Sequence, residues 1–209
     1  TIKMHLYGIF WREIMIIQPV EINDAKELLD IYSPYVTDTA VSFEYNVPSL
    51  DEFKSRIARI SDRYPYIKAM EGDVITGYAY AGPFKTRQAY DWSVEVTVYV
   101  RQTERRKGIG KQLYAVLENT LADMGILNMN ACIAMPKEAD EHLTKDSYLF
   151  HKKMGFNPVG TFHDSGFKFN TWYDMIWMEK MIGPHTQAPS SVKFGEWKKY
   201  KAVKLFIDE

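Results

Sequence analysis

The sequence predicts a single domain of the α/β class. Stretches with apolar residues three or four positions apart, typical of helices, alternate with stretches whose apolar residues recur at every second position, typical of strands. The chain has 209 residues, of which 46% are hydrophobic and 14% aromatic. A chain of this size holds enough apolar material for one sizeable core, and its aromatic content separates it from disordered proteins.

The first half of the chain carries two helix signals and then a hairpin signal. Asparagine, aspartate and serine are preferred at helix starts, and such residues precede both helical stripes. Glu71-Gly72-Asp73 is typical of a tight turn between two strands. The predicted elements are a helix from Asn23 or Asp24 to about Tyr32, a helix that starts at Ser49 and that Pro65 ends, and strands over 66–70 and 74–81.

The second half begins with a strand that alternates from Val94 to Val100. Its valines share one face, and Glu95, Thr97 and Tyr99 share the other. The elements predicted after it are an amphipathic helix over 112–124, a strand over 129–135, a short helix over 147–154, and one or two strands within 167–181. We assign 15–183 to the domain, 1–14 to an N-terminal extension, and 184–209 to an appended tail of unknown role.

Charge and cysteine counts exclude several classes of protein. The 26 basic and 27 acidic residues leave a net charge of -1, whereas a protein that coats nucleic acid carries a basic excess. No apolar run approaches the roughly 20 residues needed to span a bilayer. Cys132 alone forms no internal disulfide, and the histidines lack metal-ligand spacing. We therefore expect a cytoplasmic protein with no metal, no nucleic-acid partner and no membrane partner, in which Cys132 is a small buried side chain.

The loop after the Val94–Val100 strand is the most informative segment. Residues 101–111 hold five basic residues against one acid, and two glycines open the next helix. The amide groups at a helix N-terminus favour an anion, and glycine lets the backbone approach it closely. The composition therefore indicates a pyrophosphate site, although an ordinary turn with a solvated basic face has the same composition. The order R-x-x-G-x-G, from Arg105 to Gly110, fits neither a P-loop nor a dinucleotide-binding motif.

This order, following a V-x-V strand end, resembles the acyl-CoA loop of the GCN5-related N-acetyltransferases (GNAT). Further blocks resemble the phosphinothricin acetyltransferases among them, and the similarity covers roughly residues 15–183. These blocks are Asp62-Arg63-Tyr64-Pro65, the run from Gly77 to Lys85, Arg87, Ala89-Tyr90-Asp91-Trp92, Val98-Tyr99-Val100, His151, Gly155-Phe156 and Gly166-Phe167-Lys168.

The resemblance implies one GNAT domain with a mixed, mostly antiparallel sheet flanked by helices. It also implies acetyl-CoA as co-substrate, a small-molecule amine as acceptor, direct attack in a ternary complex, and a homodimer. The residues it assigns to the cofactor are Val98, Tyr99, Val100, Arg105, Arg106, Lys107, Gly108, Ile109, Gly110, Lys111, Thr144 and Ser147.

Removing a proton from the attacking amine requires a base, and the departing thiolate can use an acid. Glu95 corresponds to the glutamate that the family uses as general base, although a strand carboxylate facing solvent has the same pattern. Many relatives have a tyrosine at the position of His151, where it acts as general acid toward the thiolate. Tyr148 lies one helical turn earlier and could take the place of His151 as the acid. A histidine on a helix is also a common structural residue, so both roles stay open.

The acceptor is predicted to meet a short polar cluster of Lys85, Arg87 and Tyr90. Arginine binds a carboxylate or phosphinate with two parallel hydrogen bonds, and the family's acceptors carry such groups. Phe43 and Thr97 complete the predicted acceptor pocket. One departure from the family is an insertion at 137–144, which leaves Thr144 where relatives have a CoA-binding asparagine.

Two other functions remain compatible with these residues. One is an acetyltransferase for a different amine, such as an aminoglycoside, a polyamine or a protein N-terminus. The other is an acyl-CoA-binding protein without turnover, against which the presence of Glu95 argues.

Overall fold

The computed structural model describes residues 14–206, which form one eight-stranded sheet flanked by four helices. The strands are β1 (Ile14–Pro19), β2 (Tyr66–Glu71), β3 (Val74–Pro83), β4 (Ser93–Val100), β5 (Asn128–Met135), β6 (Asn157–Lys168), β7 (Thr171–Met181) and β8 (Val203–Phe206). The helices are α1 (Ala25–Thr37), α2 (Leu50–Ser61), α3 (Ile109–Met124) and α4 (Asp146–Lys153). The predicted extension at 1–14 lies outside the described residues except for Ile14, which belongs to β1.

The sheet has the order β6-β7-β5-β4-β3-β2-β1-β8, and its neighbouring strands are antiparallel except for β4 and β5. This confirms the expected mixed sheet. The parallel pair is short, because only Ser93, Val94 and Glu95 pair with β5. Both strands continue beyond that point, so they part after Glu95 and leave a cleft between their carboxyl-terminal halves.

The two faces of the sheet carry different packing. On one face α3 lies against small residues of β3, since a Cβ at Gly77 would be 3.2 Å from Ile109 Cγ2. On the other face Tyr78 and Tyr99 meet α1, where the Tyr32 and Tyr99 ring centroids are 5.0 Å apart. The α3 face is therefore close-packed by small side chains, and the opposite face is built from aromatic rings.

Most predicted elements are confirmed, and their ends differ for local reasons. The side chain of Ser49 accepts the Glu52 amide and caps α2 as predicted. Helix α1 runs past Tyr32 to Thr37 despite Pro34, and buries Tyr35 and Val36 in its last turn. Helix α3 starts at Ile109, three residues before the predicted start. Strand β6 was predicted only at its end, because its first nine residues are all exposed and show no alternation.

The C-terminal segment corrects the prediction of an appended tail. Strand β8 pairs with β1 and becomes the edge of the sheet. The Lys193 amide donates to the Met124 carbonyl at 2.8 Å, and Trp197 is buried in the main core. Residues 184–206 are thus packed onto the domain.

Candidate active site

Glu95 lies at the point where β4 and β5 part. It pairs with Asn130 of β5 and with Gly82 of β3, and its face of β4 also carries Thr97. Burial raises the pKa of Glu95, and the charge of Lys85 partly opposes this shift. A partly buried carboxylate with a raised pKa holds a proton more readily than an exposed one, as a general base must.

Three further side chains line the cleft beside Glu95. Cys132 of β5 is exposed, which corrects the expectation of a buried side chain. Desolvation of its thiol raises the pKa of Cys132 to about 11, with a further contribution from Glu95. Trp177 of β7 pairs with Cys132, and the Lys85 ammonium lies 5.3 Å from the Trp177 ring centroid. Because the Cys132 thiol stays protonated at neutral pH, it is not a ready nucleophile here.

The backbone of β4 beyond Glu95 borders the same cleft. The Val94 carbonyl accepts the Asn130 side chain from the β5 side, whereas the Arg101 amide bonds to Thr76 on the β3 side. Because backbone groups alternate along a strand, those of Val98 face the cleft and those of Tyr99 face β3. Val100 meets the Tyr35 hydroxyl, which donates to its carbonyl at 2.6 Å. Of the predicted V-x-V contacts, the backbone of Val98 is thus the one open to the cleft, while the Tyr99 ring packs against α1.

The loop that follows β4 has the local form of an anion site. Gly108 has φ of +81° and lies at the N-cap of α3, and Arg106 also adopts a positive φ. Gly110 approaches helix α4 closely, since a Cβ there would lie 3.4 Å from Phe150 Cζ. The first turn of α3, including Ile109 and Gly110, leaves amide groups without partners inside the helix.

The basic side chains of this loop are exposed, and they surround that helix start. They belong to Arg105, Arg106, Lys107 and Lys111. The Arg105 guanidinium lies 5.2 Å from the Tyr35 ring centroid, and Lys107 forms an ion pair with Glu104. These residues fit the pyrophosphate of a CoA ester, because charged donors and helix amides converge on one exposed spot.

His151 lies in a buried environment between α4 and α3. It is buried, its Nδ1 lies 2.8 Å from the Ser147 carbonyl, and its Nε2 lies 3.0 Å from the Tyr114 hydroxyl. Burial lowers the pKa of His151 to about 4, so the ring is uncharged at neutral pH. With both nitrogens engaged, the ring joins α4 to α3, and the general acid role of His151 stays a prediction.

The other residues predicted near α4 have local roles. The Thr144 hydroxyl accepts the Asp146 amide at 3.2 Å and so shapes the turn before the helix. The Ser147 carbonyl accepts from His151, and Tyr148 packs partly buried against the main core. Thr144 therefore does not reproduce a free asparagine side chain at that position.

A buried lysine holds the connection between α1 and α2. The Lys168 ammonium donates to the carbonyls of Val36, Thr39 and Ser42 at 2.7, 2.8 and 2.7 Å. It thereby ties the connection between α1 and α2 to the β6–β7 hairpin. The sequence analysis includes Lys168 only in the Gly166-Phe167-Lys168 block. Its partners lie more than 120 positions away, so no local pattern indicates this role.

Phe43 lies in that connection and packs on Gly166 of β6. A Cβ at Gly166 would overlap the Phe43 ring, so only glycine fits beneath it. The Tyr45 hydroxyl also donates to the Phe167 carbonyl. Phe43 is therefore held in place over Gly166, and its role in the acceptor pocket stays a prediction.

The inserted segment at 137–144 packs against the same connection. Asp140 accepts the amides of His142 and Leu143 and the Tyr173 hydroxyl, the last at 2.8 Å. The His142 ring stacks on Phe169 with centroids 3.7 Å apart. The insertion thus builds a second small core against the α1–α2 connection.

The predicted polar cluster is only partly brought together. Lys85 lies over Phe84 and acts electrostatically on Glu95. Tyr90 packs edge-on against Phe84 at 5.9 Å, whereas Arg87 is exposed and precedes the short helical turn that holds Tyr90. Thr97 pairs with Tyr80 across β3 and β4.

Within residues 14–206 no three His, Cys, Asp or Glu side chains are grouped to hold a metal ion. The same part of the chain contains no helix with the length and apolarity to cross a membrane.

Comparison with known proteins identifies the relatives of this chain. The acetyltransferase (GNAT) domain family matches residues 17–177. Phosphinothricin N-acetyltransferase of Streptomyces viridochromogenes is 33% identical over 174 residues, which are 83% of this chain and 91% of that protein. The L-methionine sulfoximine/L-methionine sulfone acetyltransferase of Pseudomonas paraeruginosa is 29% identical over 176 residues, 83% of this chain and 98% of that protein.

A solved structure gives the same result for the fold. The phosphinothricin acetyltransferase of Sinorhizobium meliloti, in complex with acetyl-CoA, superposes with a TM-score of 0.76 at 29% identity. The match covers 83% of this chain and 92% of that one.

Proposed function

Because this chain belongs to the GNAT acetyltransferase family and is an acetyl-CoA-dependent enzyme, we propose that its acceptor is the primary amine of a small amino-acid-like molecule. The relatives named for phosphinothricin and for methionine sulfoximine support this acceptor class. The observation that carries the proposal is the partly buried carboxylate of Glu95 at the point where β4 and β5 part.

In the proposed reaction Glu95 accepts a proton from the acceptor's ammonium or amine, directly or through water. The amine nitrogen then attacks the thioester carbonyl carbon, the carbon–sulfur bond breaks, and the CoA thiolate leaves with its electron pair and takes up a proton. No residue of the chain forms a covalent bond in this scheme, and the raised pKa of Cys132 agrees with that.

The two ends of the cleft hold the two substrates in this proposal. The loop from Arg105 to Gly110 would bind the CoA pyrophosphate, and the free backbone groups of Val98 would hydrogen-bond its amide-bearing arm. Lys85, beside Glu95 and Trp177, would attract an anionic group of the acceptor. Phe43 would close the acceptor pocket from the α1–α2 connection.

The test is acetyl-CoA consumption with a panel of acceptors: phosphinothricin, methionine sulfoximine, a polyamine, an aminoglycoside and a peptide. We expect turnover with the first two and a fall of about 100-fold or more in kcat/KM for Glu95→Gln, because general base catalysis contributes on that order. Glu118→Gln, which lies on α3, is the control. Turnover confined to the polyamine, the aminoglycoside or the peptide would contradict the proposed acceptor class and indicate a different one. CoA binding without turnover on any amine would favour a binding protein.

We also propose that the chain forms a homodimer through the β6–β7 hairpin. This hairpin exposes Val159, Phe162 and Trp172 by 61%, 57% and 54%. Clustered exposed apolar side chains of this size mark interaction surfaces. Sedimentation of a Phe162→Ser, Trp172→Lys variant should give the monomer mass where the native chain gives the dimer mass, and Ile22→Ser should not change it. A native chain that sediments as a monomer would refute the proposal.

A further inference from the structure

The sheet consists of two halves that meet at a short parallel pairing. One half contains β6, β7 and β5, the other contains β4, β3, β2 and β1, and β4 and β5 are the strands that meet. We call their pairs the seam, which within the described residues consists of Ser93 with Asn128, Val94 with Met129, and Glu95 with Asn130. Since Glu95 is the last residue of the seam before the cleft, its position relative to β5 depends on how firmly the seam is closed.

Trp92 lies at the end of the seam opposite to the cleft, directly before Ser93. Its carbonyl accepts the amides of Leu127 and Asn128, at 2.9 and 3.1 Å, where β5 begins. Its indole Nε1 donates to the Ser190 carbonyl at 2.8 Å. Trp92 therefore connects the start of β4 both to the start of β5 and to the C-terminal segment.

The C-terminal segment crosses from one half of the sheet to the other. It follows β7 in the first half, and in the second half the Lys193 amide donates to the carbonyl of Met124, the last residue of α3, at 2.8 Å. The Gly195 amide donates to the Arg63 carbonyl at 3.0 Å, and β8 pairs with β1. The segment thus holds the two halves together at the end of the seam opposite to the cleft.

The pKa of Glu95 reports how far the seam is closed. Burial raises this pKa, and the charge of Lys85 partly opposes the shift. The other titratable groups that interact electrostatically with Glu95 are Cys132, Tyr80 and Tyr114, and burial raises the pKa of each. Because these three are uncharged at neutral pH, a movement of the strands acts on Glu95 through its hydration and through Lys85. Added hydration would lower the pKa of Glu95, whereas removal of Lys85 would raise it.

We propose that Trp92, held by the C-terminal segment, is a positioning residue for Glu95 and fixes the separation of β4 and β5 at the seam. The inference rests on the proposed function, since it concerns the carboxylate that accepts the proton. A general base acts only within hydrogen-bond reach of the proton that it removes, so a small displacement of Glu95 lowers the rate. The loop from Arg105 to Gly110 follows the opposite end of β4, so acetyl-CoA binding should change less than the rate.

The first variant is Trp92→Phe, which keeps an aromatic ring and removes the indole donor to Ser190. We expect kcat to fall about tenfold, because misplaced reacting groups lose rate on that order, and the acetyl-CoA KM to stay within about twofold. The acidic limb of kcat/KM should move to lower pH, since a wider cleft hydrates Glu95. Trp172→Phe, at an exposed tryptophan of the β6–β7 hairpin, is the matched control and should keep the native kcat and limb.

A second pair of variants loosens the C-terminal segment without changing Trp92. Lys193→Pro removes the amide that donates to Met124, and Lys193→Met keeps it. Lys193→Pro should change kcat and the acidic limb in the same direction as Trp92→Phe, and Lys193→Met should change neither. This pair decides the question if Trp92→Phe does not fold.

A titration of Glu95, followed by carbon NMR of its carboxyl group, needs no turnover and separates the two proposals. A lower Glu95 pKa in Trp92→Phe or Lys193→Pro, in a chain that acetylates no acceptor, would support the positioning role and refute the proposed function. An unchanged Glu95 pKa with native kcat in every variant that folds would overturn the positioning role and leave the proposed function standing. An acidic limb that moves to higher pH would also overturn it, because Trp92 would then act through Lys85.

Discussion

The two sides of β4 are built in different ways. On the side of the loop and α3, the proposed CoA site is built from backbone that is continuous in the chain, from Val98 to Gly110. On the side of the proposed acceptor pocket, the wall joins segments more than 120 positions apart, which Lys168 holds together. The first arrangement can be read from a local pattern, whereas the second exists only once the chain has folded.

The two sides of β4 also differ in the substitutions that they tolerate. A helix N-terminus binds an anion with main-chain groups, so a change in one basic side chain removes only part of the interaction. The acceptor wall depends on single buried polar groups, because Lys168 alone satisfies three carbonyls. We expect substitutions on the acceptor side to have the larger effects.

The largest effect is expected for Lys168→Met. Methionine fills the space but leaves the Val36, Thr39 and Ser42 carbonyls without their donor, at a cost of about 4 kcal/mol in the free energy of unfolding. Urea denaturation measures the loss, and the acceptor KM should rise more than the acetyl-CoA KM. The exposed Lys153→Met is the control, and a loss below about 1 kcal/mol would contradict the buried role.

For this reason the sequence predicted the fold well and the long-range contacts of Lys168 and His151 poorly. The alternation of Val94 to Val100 and the glycines after it are local signals, and the structure bears out the strand and the helix that they predict. Strand β6 and the C-terminal segment were misassigned, because one is exposed and the other packs through Trp197 and β8 at long range. His151 matched a family position, but its partner Tyr114 lies 37 positions away, and no local pattern shows that contact.

The next effect concerns the pH dependence of stability at His151. Its pKa is about 4 in the folded chain and about 6.5 when exposed, so between these values the unfolded chain binds a proton that the folded chain does not. As pH falls from about 6.5 to about 4, His151 should therefore remove about 3 kcal/mol of stability. Urea unfolding at both pH values should show a smaller pH dependence in His151→Gln than in the native protein.

His185→Gln, at an exposed histidine, is the matched control for that measurement and should keep the native pH dependence. An unchanged pH dependence in His151→Gln would instead mean that His151 is accessible and titrates normally. That result would support the predicted general acid role of His151 and weaken the contrast between α4 and β4.

A smaller effect is expected on the loop side. Arg105→Ala combined with Lys107→Ala should raise the acetyl-CoA KM about tenfold, because both cations are exposed and partly screened while the amides of α3 remain. The acceptor KM should stay within about twofold of the native value. Lys198→Ala with Lys199→Ala removes the same charge from the C-terminal segment and serves as control. An unchanged acetyl-CoA KM would refute the pyrophosphate site.

The smallest effect is expected on the pH dependence of activity at Glu95, where the two sides of β4 meet. Activity should fall with decreasing pH as Glu95 takes up a proton, and its raised pKa places this fall above the pH of an ordinary glutamate. Because Lys85 lowers that pKa, Lys85→Met should move the acidic limb of kcat/KM to higher pH, and added salt should reduce the difference. Arg87→Met, which removes a neighbouring exposed cation, should leave the limb in place. A shift in Arg87→Met alone would mean that Arg87, and not Lys85, is the cation that faces the base.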